Sequence, residues 1–342
     1  MQTLQNAKDA LMGNPGFTQE DVADLQGKTV LVTGGTGGIG LEVARTFALS
    51  RARVLLLSSK NESGNDAIES IKKTNPAADI RFIACDLGNL REVKNVGDGI
   101  VKDEDRLDIF VADAGVGVNK FDVSSDGIDR HFAVNHLGHF LLLNRLLPLL
   151  RRTSRIETSA PPRIIAVSST LHRQAPSSTR FASAEEITGD GARNMSALGL
   201  YGRSKLANLL FIKYGVAERV IRPNGDRMFA LAVHPGAVAT AQVEQYKEAY
   251  GTIPGNVMKQ LVTPFMRSPD QGSLSTLWAA TSADVSKEGY QGKYFENPGE
   301  FGKEGELVTE ENGANLWNLS EKMVKDVLGS DALLPWDVKA KE

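Results

Sequence analysis

The feature that most restricts this chain is a rhythm. Short runs of β-branched and aliphatic residues alternate with stretches whose apolar residues recur at helical spacing. Thr29 to Thr33 (TVLVT), Arg53 to Ser58 (RVLLLS), Ile80 to Ala84, Ile109 to Ala112, Arg163 to Ser168 (RIIAVS) and Met228 to Val233 (MFALAV) read as strands. Between them 39–50, 62–74, 90–100, about 127–149 and 200–220 read as helices. Near-continuous apolar strands are covered on both faces, and parallel neighbours need a crossover that a helix supplies. The expected fold is therefore α/β: a doubly wound, mostly parallel sheet with helices on both faces, three layers in α/β/α order. Hydrophobic residues make up 41% of the 342, enough for such a core and too many for a wholly disordered chain. No linker or internal duplication divides the sequence. One domain is expected over 1–342, with a lead-in at 1–27, a core at 28–295 and a tail at 296–342. A last strand is expected at Gly292 to Phe295 and a tail helix at about 314–328.

The first strand runs directly into Thr33-Gly34-x-x-x-Gly38-x-Gly40, and a helix follows. Glycine removes Cβ where a turn is tight and where a pyrophosphate approaches the backbone. The helix start offers unpaired N–H groups and the positive end of its dipole. A glycine string alone means little; in this strand-turn-helix setting it predicts a Rossmann-type dinucleotide site. Thr33, Gly34, Thr36, Gly38, Ile39 and Gly40 are its candidate residues.

At the end of the second strand an acidic residue would bind the ribose hydroxyls of NAD and repel an added 2′-phosphate. Ser58-Ser59-Lys60-Asn61 stand there, with no acid before Glu62. Ser59 offers a hydroxyl and Lys60 a positive charge, so NADP(H) is the preferred cofactor. NAD(H) stays open, because Lys60 also reads as a solvated loop charge. Asp86, after the third strand, suits the adenine edge or a plain turn.

Tyr201 and Lys205 are four residues apart and share one helix face. That spacing is common by chance. Its weight comes from the glycine turn, from Asn135 inside the long helix, and from Ser168-Ser169 at the end of the fifth strand. In this order the residues resemble the short-chain dehydrogenase/reductase family, of the kind that includes retinol dehydrogenase-like and WW-domain oxidoreductase-like enzymes. The resemblance runs from about 27 to 294. Asp86-Leu87 matches the family's adenine-contact position, and Asp113-Ala114-Gly115 a segment usually written Asn-Ala-Gly. Asn135-His136-Leu137-Gly138 matches its Asn-x-x-Gly signature, Ser169 its catalytic serine, and Tyr201-Gly202-Arg203-Ser204-Lys205 its active-site motif. Pro235-Gly236-Ala237-Val238-Ala239-Thr240 matches the loop after the sixth strand.

The resemblance implies hydride transfer between nicotinamide and a carbonyl or alcohol carbon. Ser169 would hydrogen-bond the substrate oxygen and Tyr201 would donate its proton. A free phenol is a poor acid at neutral pH, so Lys205 and the oxidised ring would favour the phenolate. Asn135 would anchor a water linking Lys205 to solvent. Pro235, Gly236, Val238 and Thr240 would bracket the nicotinamide and select its pro-S hydride. Two departures stand out: Asp113 where the family has Asn, and Ser59 where close relatives often carry Arg.

The substrate is expected above the nicotinamide, between Val116 to Asn119, a loop at 171–200 and a loop at 237–266. The last holds Tyr246, Tyr250, Phe265 and Met266, an apolar lid for a lipophilic or aromatic compound or ordinary packing. His172, three residues past Ser169, reads as an exposed turn residue, with a place facing the opening as the alternative. Leu141-Leu142-Leu143 suits a homodimer contact, although a helix packed on a sheet gives the same pattern. The net charge of -3 offers no field for nucleic acid, and none is expected as a partner. No metal site, secretory signal or membrane span is expected, and the single Cys85 fits a reducing compartment. A cytoplasmic location follows, with loose attachment to a lipid surface left open. Against the oxidoreductase stand a regulatory dinucleotide binder without turnover and an epimerase of the extended branch.

Overall fold

The structure is a computed structural model, in which residues 16–156, 158–238 and 266–337 are described. Strands β1 (Thr29–Thr33), β2 (Arg53–Ser58), β3 (Ile80–Ala84), β4 (Ile109–Ala112), β5 (Arg163–Val167), β6 (Phe229–Val233), β7 (Tyr294–Asn297) and β8 (Glu300–Phe301) form one sheet in the order β3-β2-β1-β4-β5-β6-β7-β8. All neighbours are parallel except β7 and β8. The principal helices are α1 (Gly38–Leu49), α2 (Asn61–Thr74), α3 (Leu90–Asp103), α4 (Gly138–Ser154), α5 (Ala197–Leu210), α6 (Pro269–Thr281) and α7 (Glu310–Leu328). This is the three-layer Rossmann-type arrangement that the alternation predicted.

Side chains alternate across the sheet and divide the core in two. Val30, Val32, Val54, Leu56, Val111 and Ile165 point toward α1 and α6. Leu31, Leu55, Leu57, Phe110, Ile164 and Ala230 point toward α3, α4, α5 and α7. From β1 the chain winds outward to β3 and then crosses back to β4, on the other side of β1. Where the order reverses, the carboxyl ends of β1 and β4 part and leave a crevice. The candidate site lies there.

Several boundaries differ from the sequence expectation. The long helix begins with a turn at Arg130–Phe132 rather than at 127, because the Asp129 carboxylate accepts the His131 and Phe132 N–H groups at 3.2 Å each. A widened π turn at Ala133–Leu137 leads into α4, which runs on to Ser154 through Pro148. The tail helix starts at Glu310, where Thr309 caps it by accepting the Asn312 N–H at 3.2 Å. β7 is not the last strand, since β8 turns back against it. The Leu141-Leu142-Leu143 cluster, expected to suit a subunit contact, is buried within the chain. Phe140 is covered from the tail by Trp317 and Trp336, with ring centroids 5.2 Å away in each case.

Candidate active site

The glycine turn follows from covalent geometry. Gly34 has φ +69° and Gly38 φ +52°, values that side chains resist. A Cβ on Gly34 would meet the Ala114 Cα at 2.9 Å, and one on Gly40 would meet the Gly34 carbonyl at 2.5 Å. These contacts are with backbone, which cannot yield cheaply. The turn therefore lies flat against the end of β4, and Gly38 and Ile39 at the start of α1 line the crevice. Thr33 sits behind it, fully buried, and accepts the Asp113 and Ala114 N–H groups at 3.0 and 3.1 Å. Its hydroxyl also pairs with His139 Nε2 at 2.8 Å.

Asp113 occupies the crevice floor. Its carboxylate takes the Gly40 N–H, while desolvation pushes its pKa up to about 6 against the pull of Lys205. At the outer end Ser59 and Lys60 are exposed beside Ser63, a residue the sequence reading missed. Ser63 Oγ donates to the Lys60 carbonyl at 2.8 Å and receives Thr36 Oγ1 at 3.5 Å. Asp86 and Leu87 line an adjoining recess of about 220 Å³. Arg130, also missed, closes that recess and reaches Asp86 Oδ2 at 3.3 Å. Gly138 of the Asn-x-x-Gly signature is needed for contact: a Cβ there would lie 2.3 Å from the Leu87 carbonyl.

The reacting end is assembled from β5 and α5. Ser168 Oγ is committed to the Lys205 carbonyl at 2.8 Å, which locks the strand end to the helix. Ser169 Oγ accepts the Leu171 N–H at 3.2 Å and, among the described residues, meets no acceptor. Gly202 lets α5 approach, since a Cβ there would lie 2.8 Å from the Leu171 carbonyl. Lys205 is buried. Its Nζ donates to the Val167 carbonyl at 2.9 Å and stands 5.7 Å from the Tyr201 ring centroid. Desolvation pulls its pKa down to about 8, and Asp113 opposes that shift.

Asn135 lies in the π turn, behind the cleft rather than on its wall. Its side chain accepts the Val116 N–H at 2.7 Å and donates to the Val116 carbonyl at 3.0 Å and to Ser204 Oγ at 2.9 Å. Its own carbonyl pairs with His139 Nδ1 at 3.0 Å. His172, expected to be exposed, is 1% exposed. Its Nδ1 donates to the Ser169 carbonyl at 2.6 Å and its Nε2 accepts the Gly305 N–H at 3.0 Å, so the ring braces the serine. Gly236 has φ +85° and holds the loop after β6 over Arg267, whose Nη2 donates to Asn297 Oδ1 at 2.7 Å. Val238 packs on Gly272. Thr240 and the lid residues from 239 to 265 lie outside the described residues.

One cleft of about 730 Å³ joins these groups. Among the described residues it is lined by the Gly34–Ile39 turn, by Ser59 and Lys60, by 113–115, by Ser169, Tyr201 and Lys205, and by 235–238. Thr33, Gly40 and Asn135 stand behind that lining. The left-handed glycines, the exposed helix start and the length of the cleft fit a dinucleotide.

Comparison with known proteins agrees. The family model for short chain dehydrogenase matches residues 28–183. The mitochondrial protein bli-4 of Neurospora crassa is 36% identical over 323 residues, 92% of this chain and 76% of that protein. Mouse retinol dehydrogenase 12 is 32% identical over 296 residues, 86% of each. The chain belongs to the short-chain dehydrogenase/reductase family. Its fold is that of the family's oxidoreductases and is capable of binding a nicotinamide cofactor. Among solved structures the Pseudomonas aeruginosa RhlG/NADP active-site complex aligns with a TM-score of 0.58 at 21% identity, covering 80% of this chain and 95% of that one.

Proposed function

We propose that this short-chain dehydrogenase/reductase is an NADP(H)-dependent oxidoreductase acting on a carbonyl or alcohol carbon of an uncharged lipophilic or aromatic small molecule. One observation carries the reading: Ser169, Tyr201 and Lys205 line the same cleft as the glycine turn. Thr36, Gly38, Ile39 and the α1 N-terminus would hold the pyrophosphate, Asp86 and Leu87 the adenine, and Ser59 with Lys60 the 2′-phosphate. Bound there, the dinucleotide supplies or accepts the hydride. In the reducing direction Ser169 Oγ donates to the substrate oxygen and orients it. The Tyr201 phenol delivers the proton. The Lys205 ammonium, itself buried, stabilises the phenolate left behind. Asn135 positions Val116 and Ser204, and a water held near it would return the proton from solvent.

The substrate preference rests on the cleft's inner end. Among the described residues the cleft lining includes Gly117, Val118, Leu171 and Met266, with Lys60, Asp113 and Lys205 as its charged groups. His234 also lines it and is neutral, its pKa pulled down to about 3 by burial and by Arg267. No helix among the described residues is long and apolar enough to cross a membrane. A cytoplasmic location is part of the proposal, with contact at a lipid surface as the alternative that fractionation decides.

The test is NADPH consumption over a panel of aromatic and aliphatic aldehydes and ketones, with NADPH binding followed by fluorescence. Tyr201→Phe should lower kcat by about 10³-fold and leave NADPH affinity within about twofold. Reduction should also weaken as pH rises through about 8, where Lys205 loses its charge. Turnover surviving in Tyr201→Phe would contradict the proton assignment. A wild-type chain that binds NADPH and reduces nothing would favour the regulatory reading.

A further inference from the structure

Arg203 lies between Tyr201 and Lys205, yet its position in the helical repeat turns it to the far side of α5. Its guanidinium is 1% exposed. Nη2 donates to Asp129 Oδ2 at 3.0 Å, and Nη1 donates to the Glu186 carbonyl. Asp129 is fully buried. Besides capping the Arg130–Phe132 turn, its Oδ1 lies 3.3 Å from His131 Nδ1. The other ring nitrogen, Nε2, lies 3.1 Å from the Gly117 carbonyl. Gly117 is a cleft residue. An unbroken polar path thus runs from the helix that carries Tyr201, through Arg203, Asp129 and His131, to the wall facing it.

The path has a second arm. The Glu186 carboxylate collects the N–H groups of Arg180, Phe181 and Ala182 at 3.0, 2.9 and 2.8 Å. It holds Phe181 at φ +54°, an uncommon backbone for a side chain of that size, with the ring 6.2 Å from Phe132. A buried ion pair is a poor route to stability, because packed apolar residues of similar volume do as well or better. Its retention is better explained by what it fixes. Removing one member leaves a buried charge unpaired, so the three elements either share one arrangement or pull apart.

We propose that Arg203, Asp129 and His131 form a positioning unit that sets the Gly117–Val118 wall relative to Tyr201 and so determines the width of the substrate pocket. None of the three touches the cleft. They act through Gly117, and the kinetic part of the claim rests on the oxidoreductase reading above.

His131→Asn and His131→Gln separate the links. Asn keeps an amide near the Nδ1 position, toward Asp129, and falls short of Gly117. Gln reaches the Nε2 position and can donate to the Gly117 carbonyl. In the cofactor-free chain His131→Asn should raise amide hydrogen exchange in peptides spanning 116–122 by about tenfold, with the Tyr201 helix unchanged; His131→Gln should restore wild-type exchange. With benzaldehyde and 4-phenylbenzaldehyde as probes, His131→Asn should raise KM for the bulkier aldehyde at least about fivefold while kcat and NADPH affinity stay within about twofold.

Arg203→Lys gives an independent arm. It keeps the charge on Asp129, loses the fork to Glu186, and should loosen 180–193 rather than 116–122. Unchanged exchange in His131→Asn, or equal loosening in both His131 variants, would overturn the proposal. So would loss of NADPH binding in step with KM. If His131→Asn does not fold, Asp129→Asn decides: raised exchange in 116–122 supports the unit, and exchange unchanged there contradicts it. If the wild type reduces neither aldehyde, the oxidoreductase reading fails while the exchange data still judge the positioning.

Discussion

The two ends of the cleft are built by different means. At the cofactor end the shape comes from backbone: Gly34 lies against Ala114 and Gly40 against Gly34, with no room for a methyl group at either. At the substrate end the shape comes from side chains that reach across the fold. Arg203 meets Asp129, 74 residues away, and Arg267 reaches Asn297, 30 residues away. Backbone constraints permit very few solutions and leave a local signature. Side-chain struts can be exchanged for others that hold a different pocket, which suits a fold whose cofactor is constant and whose substrates vary.

If that contrast is right, a single methyl at the cofactor end should do more damage than losing a charge there. Gly40→Ala places Cβ 2.5 Å from the Gly34 carbonyl and should weaken NADPH binding by about 100-fold, roughly 2.7 kcal/mol, as read by fluorescence titration. Gly138→Ala should come next. Its methyl would displace the Leu87 carbonyl, costing about 2 kcal/mol in urea unfolding and loosening the adenine recess. Lys60→Ala, at an exposed loop, should cost about tenfold, roughly 1.4 kcal/mol, for NADPH and leave NADH nearly unchanged. Equal losses for both cofactors would remove Lys60 from the phosphate contact.

The smallest effect is expected at Asp113. Its pKa, about 6, lies above the ordinary carboxyl value, so the folded chain holds this proton more tightly than the unfolded chain does. That contribution is fully present below about pH 4 and is lost as pH rises through about 6. Asp113→Asn should therefore flatten the fall in stability across this window, by about 1 kcal/mol given the carboxyl's partial exposure. A fall equally steep in the variant would show that another group titrates there.

Legibility in the sequence follows the same division. Ile109–Ala112 was readable to the residue because it is an uninterrupted apolar run. The Tyr201/Lys205 pair and the Gly34/Gly38/Gly40 string were legible as patterns because each spacing is local to one helix or one turn. Helix starts at Arg130 and Glu310 were less so, since capping by Asp129 and Thr309 depends on side-chain rotamers rather than on hydrophobic periodicity. β8 spans two residues and leaves no pattern at all. His172 was misread because nothing nearby reveals Gly305, its partner 133 residues away. Arg203 stood inside the most conspicuous motif of the chain, yet its role depends on Asp129 and Gly117, which only the folded structure brings to it.

The most direct measurement is a crystal structure with NADP and a ketone bound. Tyr201 Oη and Ser169 Oγ should both lie within hydrogen-bond distance of the ketone oxygen. The phosphates should sit over Gly34 to Gly38, and the adenine beside Asp86 and Arg130. A nucleotide bound elsewhere, or a ketone oxygen that neither hydroxyl reaches, would contradict the account.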